Sequence, residues 1–133
     1  MNVYINKDYV RIICICLLLS GTEQPRADHC PSPDIVKQRK ISRDYEWTID
    51  ERRTLDDVLA VETLYSARIK NRGEFIACYY SSEARLLRLD AKPEKNGCLI
   101  VESSGKWNII DGVEAICEED DIALCEYNIK CDQ

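Results

Sequence analysis

The side chain with the widest chemistry in this 133-residue chain is cysteine, present eight times. A thiolate can attack, bind a soft metal, or oxidise with a second thiol, and spacing decides which. Cys30, Cys78, Cys98, Cys117, Cys125 and Cys131 are spread widely and irregularly. No CxxC pair occurs, so neither a thiol oxidoreductase motif nor a compact zinc site is written here. Six cysteines in a short exported chain read instead as three disulfides. The other two, Cys14 and Cys16, lie inside the apolar run IICICLLL, which export would remove.

The remaining candidates carry less. His29 is the only histidine, and a Ser/His/Asp triad would have to form around it at the edge of the domain. An ordinary exposed residue is the better reading. Cleavage after Arg26 would free Ala27-Asp28-His29, whose amine, amides and imidazole suit square-planar copper or nickel. Arginine is a poor residue to leave at such a cleavage site, and this reading is set aside. Glu118, Glu119, Asp120 and Asp121 offer hard oxygens for calcium, but without the alternating ligands and mid-loop glycine of an EF-hand. They read as a solvated acidic loop. Paired carboxylates for glycoside hydrolysis cannot be singled out among so many acids. No phosphate-cradling glycine loop is present. Trp47, Tyr79, Tyr80 and Trp107 are candidates for an aromatic binding surface, with at least half of them assigned to the core. No catalytic residue, metal or cofactor is expected.

Residues 1–27 read as an export signal with an uncertain cleavage site. Lys7 and Arg11 precede the apolar stretch from Ile12 to Leu19, and a polar segment follows. The stretch is too short for a bilayer span, which needs about 20 apolar residues, so no stable membrane anchor is expected. Residues 28–133 then form one small domain in the periplasm or outside the cell. The leader holds three basic residues (Lys7, Arg11, Arg26) and two acidic ones (Asp8, Glu23), leaving 15 basic and 22 acidic residues, net −7. That balance argues against nucleic acid and anionic lipid as partners, both of which need clustered Lys and Arg.

The elements that must position these groups are mostly strands. Ser32 and Pro33 start a short helix over 33–39. Ile41, Tyr45, Trp47 and Ile49 alternate with polar residues, the period of a strand. Between Val58 and Ile69 a helix capped by Asp56 competes with a strand alternating through Leu59, Val61, Thr63, Tyr65, Ala67 and Ile69; the length of the alternation favours the strand. KNRG is a turn. EFIACYY is apolar on both faces, which marks a central strand buried on both sides. Leu87 and Leu89 share a face with Arg85. AKPEKNG reads as a loop, CLIVES as a short buried strand, and CEYNIKC as a terminal strand with Cys125, Tyr127, Ile129 and Cys131 on one face. The fold class is mainly β (α+β), an antiparallel meander of short strands with one short N-terminal helix, held by disulfides.

Cys30-Pro31 at the start, the I-x-C-x-Y strand of Ile76, Cys78 and Tyr80, then Trp107, Cys117 and a closing C-x-Y at Cys125 and Tyr127 form an ordered pattern. It resembles the small exported bacterial proteins of domain-of-unknown-function family thirty-seven fifty-seven, over about residues 30–129. The resemblance implies a periplasmic or secreted β-rich protein with no activity assigned. The family pattern accounts for Cys30, Cys78, Cys117 and Cys125, while Cys98 and Cys131 lie outside it.

Reach narrows the disulfide pairing, which six cysteines could make in 15 ways. Cys125 and Cys131 share a strand, and six strand residues span about 20 Å. A disulfide holds its Cα atoms within about 7 Å, so these two cannot pair. Cys117 and Cys125 flank EEDDIAL and meet by closing it. Cys30 then ties the N-terminal helix to the central strand at Cys78, and Cys98 is left with Cys131, the two that stand outside the family pattern. The functional expectation is an exported noncatalytic binding domain with a protein partner; in its specific version the partner is a cationic secreted enzyme such as a lysozyme, met faster for opposite charge. The rivals are a small secreted carboxylate hydrolase and a pathogen protein exported to act on its host.

Overall fold

The computed structural model describes residues 27–83 and 85–132. The leader, with Cys14 and Cys16, lies outside the described residues except for Ala27. The first helix, α1 (Pro33–Gln38), starts where Ser32 Oγ accepts from Ile35 N and stops at Arg39, which takes a left-handed conformation. It buries Val36. Strand β1 (Tyr45–Ile49) follows. Tyr45 is buried and Trp47 half-buried, as the alternation requires, but Ile49 stays exposed.

The disputed segment is divided between its two readings. A second helix, α2 (Leu55–Leu59), is followed by strand β2 (Thr63–Lys70). The helix forms because Thr54 and Asp57 make a reciprocal capping box: Thr54 N donates to Asp57 Oδ2 at 2.8 Å, and Asp57 N to Thr54 Oγ1 at 3.4 Å. The cap is therefore Thr54 rather than Asp56. The alternation also breaks within β2. A bulge leaves Tyr65 unpaired between Leu64, opposite Tyr80, and Ser66, opposite Tyr79. An extra residue of this kind re-aims the side chains on one side of it.

Asn71, Arg72 and Gly73, all at positive φ, turn the chain into β3 (Phe75–Ser81). Strand β4 (Leu87–Pro93) runs on through Ala91, Lys92 and Pro93, which the sequence placed in a loop. Proline is tolerated there because it is the last residue of the strand. Four short strands complete the chain: β5 (Cys98–Glu102), β6 (Trp107–Ile110), β7 (Glu114–Cys117) and β8 (Tyr127–Cys131). Only Ile100 of β5 is fully buried, so that strand is less enclosed than its composition suggests.

Six strands form one antiparallel sheet in the order β1-β4-β3-β2-β7-β6, and β5 pairs with β8 in a second sheet. The molecule is thus mainly β, with β3 central. A simple meander is realised in β2-β3-β4 and in the β6-β7 hairpin. Strand β1 joins the sheet beside β4 instead of β2, and β5 and β8 pair only with each other.

The core is the inward face of the large sheet. Ile76, Cys78 and Tyr80 of β3 lie opposite Ala91, Leu89 and Leu87 of β4, and all are at most 5% exposed. Ile100 and Tyr127 of the small sheet cover this face. Burial of such side chains contributes about 1.5–3 kcal/mol each. Polar ends are satisfied: Tyr80 donates to Pro31 O at 2.6 Å and Tyr45 to Asp28 Oδ2 at 2.6 Å. The disulfides are Cys30–Cys78, Cys98–Cys131 and Cys117–Cys125, the set expected above. They place folding in an oxidising compartment. No helix of the described residues is long and apolar enough to cross a membrane.

Candidate functional site: the open face of the sheet

Strand alternation sends Phe75, Ala77 and Tyr79 to the face opposite the core, beside Arg68 of β2 and Arg88 and Asp90 of β4. The long side chains form a stack. The Arg68 guanidinium lies 5.5 Å from the Tyr79 ring centre, and that of Arg88 lies 5.8 Å from Tyr79 and 5.6 Å from Phe75. The bulged Tyr65 leans on Tyr79 at 6.0 Å. Each cation–π contact at an exposed site is worth about 0.5–1 kcal/mol, enough to fix a long side chain without enclosing it. Ala77 beneath is fully buried because its larger neighbours close over it.

Ion pairs frame the stack. Arg88 Nε donates to Asp90 Oδ1 at 2.7 Å. Glu114 of β7 accepts from Lys70 Nζ at 3.1 Å and pairs with Arg68 at 3.5 Å. Arg68 Nε is buried with no hydrogen-bond partner. A buried donor left unpaired costs about 1–3 kcal/mol.

A groove of about 530 Å³ opens on this face between β1, β4 and the Tyr65–Tyr79 pair, with Arg53 and Arg88 on its walls. A smaller hollow beside it is lined by Glu46, Phe75 and Lys92 and shares Thr48 and Asp90 with the groove. Asp50 also lines the groove, and its hydrogen bonds from Arg52 hold its carboxyl well below the usual range. Glycoside hydrolysis needs one carboxyl displaced the other way, to donate a proton. Arg53 makes no ion pair among the described residues. The groove therefore offers stacked aromatic surface with the Arg53 and Arg88 guanidinium groups and the Asp50 and Asp90 carboxylates around it.

The residues singled out from sequence are mostly elsewhere. Tyr80 is fully buried. Trp47 packs edge-on against Tyr45 and donates to Ser42 O. Trp107 packs against the core and donates to Glu126 O. Of the four aromatics only Tyr79 belongs to the open face. His29 faces the Cys30 carbonyl oxygen; Asp28 and Ser32 line the same small cleft, but Asp28 holds Tyr45 and Ser32 caps α1. In the acidic loop, Glu119 accepts from Lys106 N and Asp121 from Ala123 N, so two of its four carboxylates secure backbone. Among the described residues, no group of three or more His, Cys, Asp or Glu is placed to hold a metal.

Phe75, Tyr65, Arg68 and Arg88 were missed. EFIACYY is apolar on both faces, yet Phe75 and Tyr79 are only half-buried and point away from Ile76, Cys78 and Tyr80. The available signal was Arg88-Leu89-Asp90: a leucine between two charges in a strand marks one wet face. No family model, curated protein or solved structure matches the chain.

Proposed function

We propose that this chain is an exported, noncatalytic binding domain, periplasmic or secreted, that holds a protein partner on the open face of its large sheet. The observation that carries this reading is the Arg68–Tyr79–Arg88–Phe75 stack left open to solvent. Tyrosine and arginine dominate the binding energy of protein interfaces. Held by their neighbours, these side chains have less freedom left to lose on binding. The orphan Arg68 Nε supports the same view, since local rules of stability are broken chiefly at functional sites. Export is supported by the leader and by three disulfides in a domain of this size. The resemblance to the exported bacterial family of unknown function belongs to this proposal and rests on Cys30, Cys78, Cys117 and Cys125 with their neighbours.

The partner's surface follows from the groove. A cationic enzyme is favoured only by the net charge of −7. The groove itself presents Arg53 and Arg88 beside Tyr65 and Tyr79, with Asp50 and Asp90 on the same lining. A partner segment carrying both charge signs complements this lining, its carboxylates meeting the guanidinium groups in a planar fork. The test is capture from the extracytoplasmic fraction of the producing cells on oxidised domain 28–133. Parallel columns carry the open-face double variant Tyr79→Ser/Arg88→Ser and, on the small sheet, Leu99→Lys. The reading expects a protein held by the parent and by Leu99→Lys but lost on the double variant. Equal retention by the double variant refutes it.

A further inference from the structure

The three disulfides differ sharply in access. Cys30, Cys78 and Cys125 are at most 1% exposed and Cys117 is 6% exposed. Cys131, in contrast, is exposed and Cys98 half-buried. Their bridge joins directly opposed residues at the open end of the small sheet. The flanking pair is hydrogen-bonded, with Asp132 N donating to Gly97 O at 3.1 Å, so Cys98 and Cys131 occupy a position without ladder bonds of its own. A cleft of about 460 Å³ opens beside the bridge, between Arg43, Pro93, Lys95 and Ile129. Asp44 and Glu94 line it as well, so the cleft gives an incoming thiolate room beside a rim of mixed charge.

We propose that Cys98–Cys131 is a thiol–disulfide exchange site, reduced selectively by an external dithiol while the other two bridges stay oxidised. The step balances as follows. A thiolate of the dithiol attacks Cys131 Sγ, the exposed sulfur, and forms a mixed disulfide. Cys98 leaves as a thiolate and takes up a proton. The second thiol of the reductant then attacks the mixed disulfide, releasing Cys131 as a thiol and closing the reductant's own disulfide. Two electrons and two protons pass from the dithiol to the protein. The domain outlasts the loss of this bridge. Four ladder pairs remain between β5 and β8, from Leu99–Lys130 to Glu102–Tyr127, and Ile100 and Tyr127 stay anchored in the core. Asp28 additionally pairs with Tyr127 through two backbone bonds of 2.8 Å. Reduction therefore frees the end of β8 without unfolding the sheet that carries the groove. The buried bridges react only on opening of the core, and access of this kind governs exchange.

The test is timed reduction of the native, oxidised domain with limiting dithiothreitol, quenched by alkylation and mapped by peptide mass spectrometry. A two-thiol species labelled at Cys98 and Cys131 should form at least about tenfold faster than any label at the other four cysteines, as access predicts. Its near-ultraviolet circular dichroism should match that of the oxidised protein. The double variant Cys98→Ser/Cys131→Ser should fold and lack the fast phase. First label at Cys30, Cys78, Cys117 or Cys125, or all-or-none reduction to six thiols, overturns the proposal.

Discussion

Gly73 is one point where the two sheets meet, and it gives a sharp test of how they are docked. Its φ is +96°, and an added Cβ would overlap Ile100 O and lie 3.3 Å from both Ile100 N and Leu99 Cβ. Gly73→Ala therefore carries two costs. An L-residue in the left-handed region loses about 1–2 kcal/mol, and forcing β5 away from the turn adds about 1–3 kcal/mol of overpacking. Gly112 supplies the control. Its φ is +66°, but nothing lies within 4 Å of an added Cβ, so Gly112→Ala bears the conformational cost alone. Urea unfolding of the oxidised proteins should place Gly73→Ala about 1–3 kcal/mol below Gly112→Ala, with unchanged m-values for two-state transitions. In a domain this small each kcal/mol moves Tm by about 4–8 °C, so thermal melts should resolve the pair. Equal destabilisation of the two variants would refute the reasoning, because the small sheet would then not press on the Asn71–Gly73 turn.

Two further outcomes are expected. Tyr45, Tyr80 and Tyr127 are at most 4% exposed, and burial raises the pKa of each, with the Asp28 carboxylate adding to the shift at Tyr45. A raised folded-state pKa means that the unfolded chain loses these protons first. Stability is thus fully present below the unfolded pKa of about 10 and falls as pH rises above it, by up to about 1.4 kcal/mol per pH unit for each tyrosine; urea midpoints measured on either side of that value check this, and a flat profile would count against buried hydroxyls. Thr54→Ala removes the hydroxyl of the α2 capping box and should cost about 1 kcal/mol in the same unfolding assay, whereas no change would mean that α2 adds nothing to the fold.

What the sequence made legible was set by local geometry. The loop between Cys117 and Cys125 is short enough to close, and the stretch from Cys125 to Cys131 is too extended to bridge, so reach points to Cys117–Cys125, while the other two pairs rest on joining the N-terminal helix to the central strand and on elimination. Ser32-Pro33 marked α1 because capping chemistry is local. The split at residues 55–70 was harder, since the helix started by Thr54-x-x-Asp57 runs directly into a strand-like alternation. Neighbours in the sheet were not legible. Nothing local tells β1 to pair with β4, or places β5 and β8 in a sheet of their own. The candidate site suffered most, because it depends on which strands lie side by side. Phe75, Tyr79 and Arg88 become one stack only once β3 and β4 are in register, with Tyr79 opposite Arg88. Tyr65 joins them only through a bulge that no residue pattern announces.

The claim that the open sheet face is the binding surface is tested most directly by photo-crosslinking in the producing cells. A photoreactive residue is placed at position 79 in one protein and at position 99 in another, and both are irradiated in the extracytoplasmic compartment. The account predicts a discrete adduct with a single protein from position 79 that is abolished by Arg88→Ser, and none from position 99. An adduct from position 99 alone, or from neither position, would contradict it.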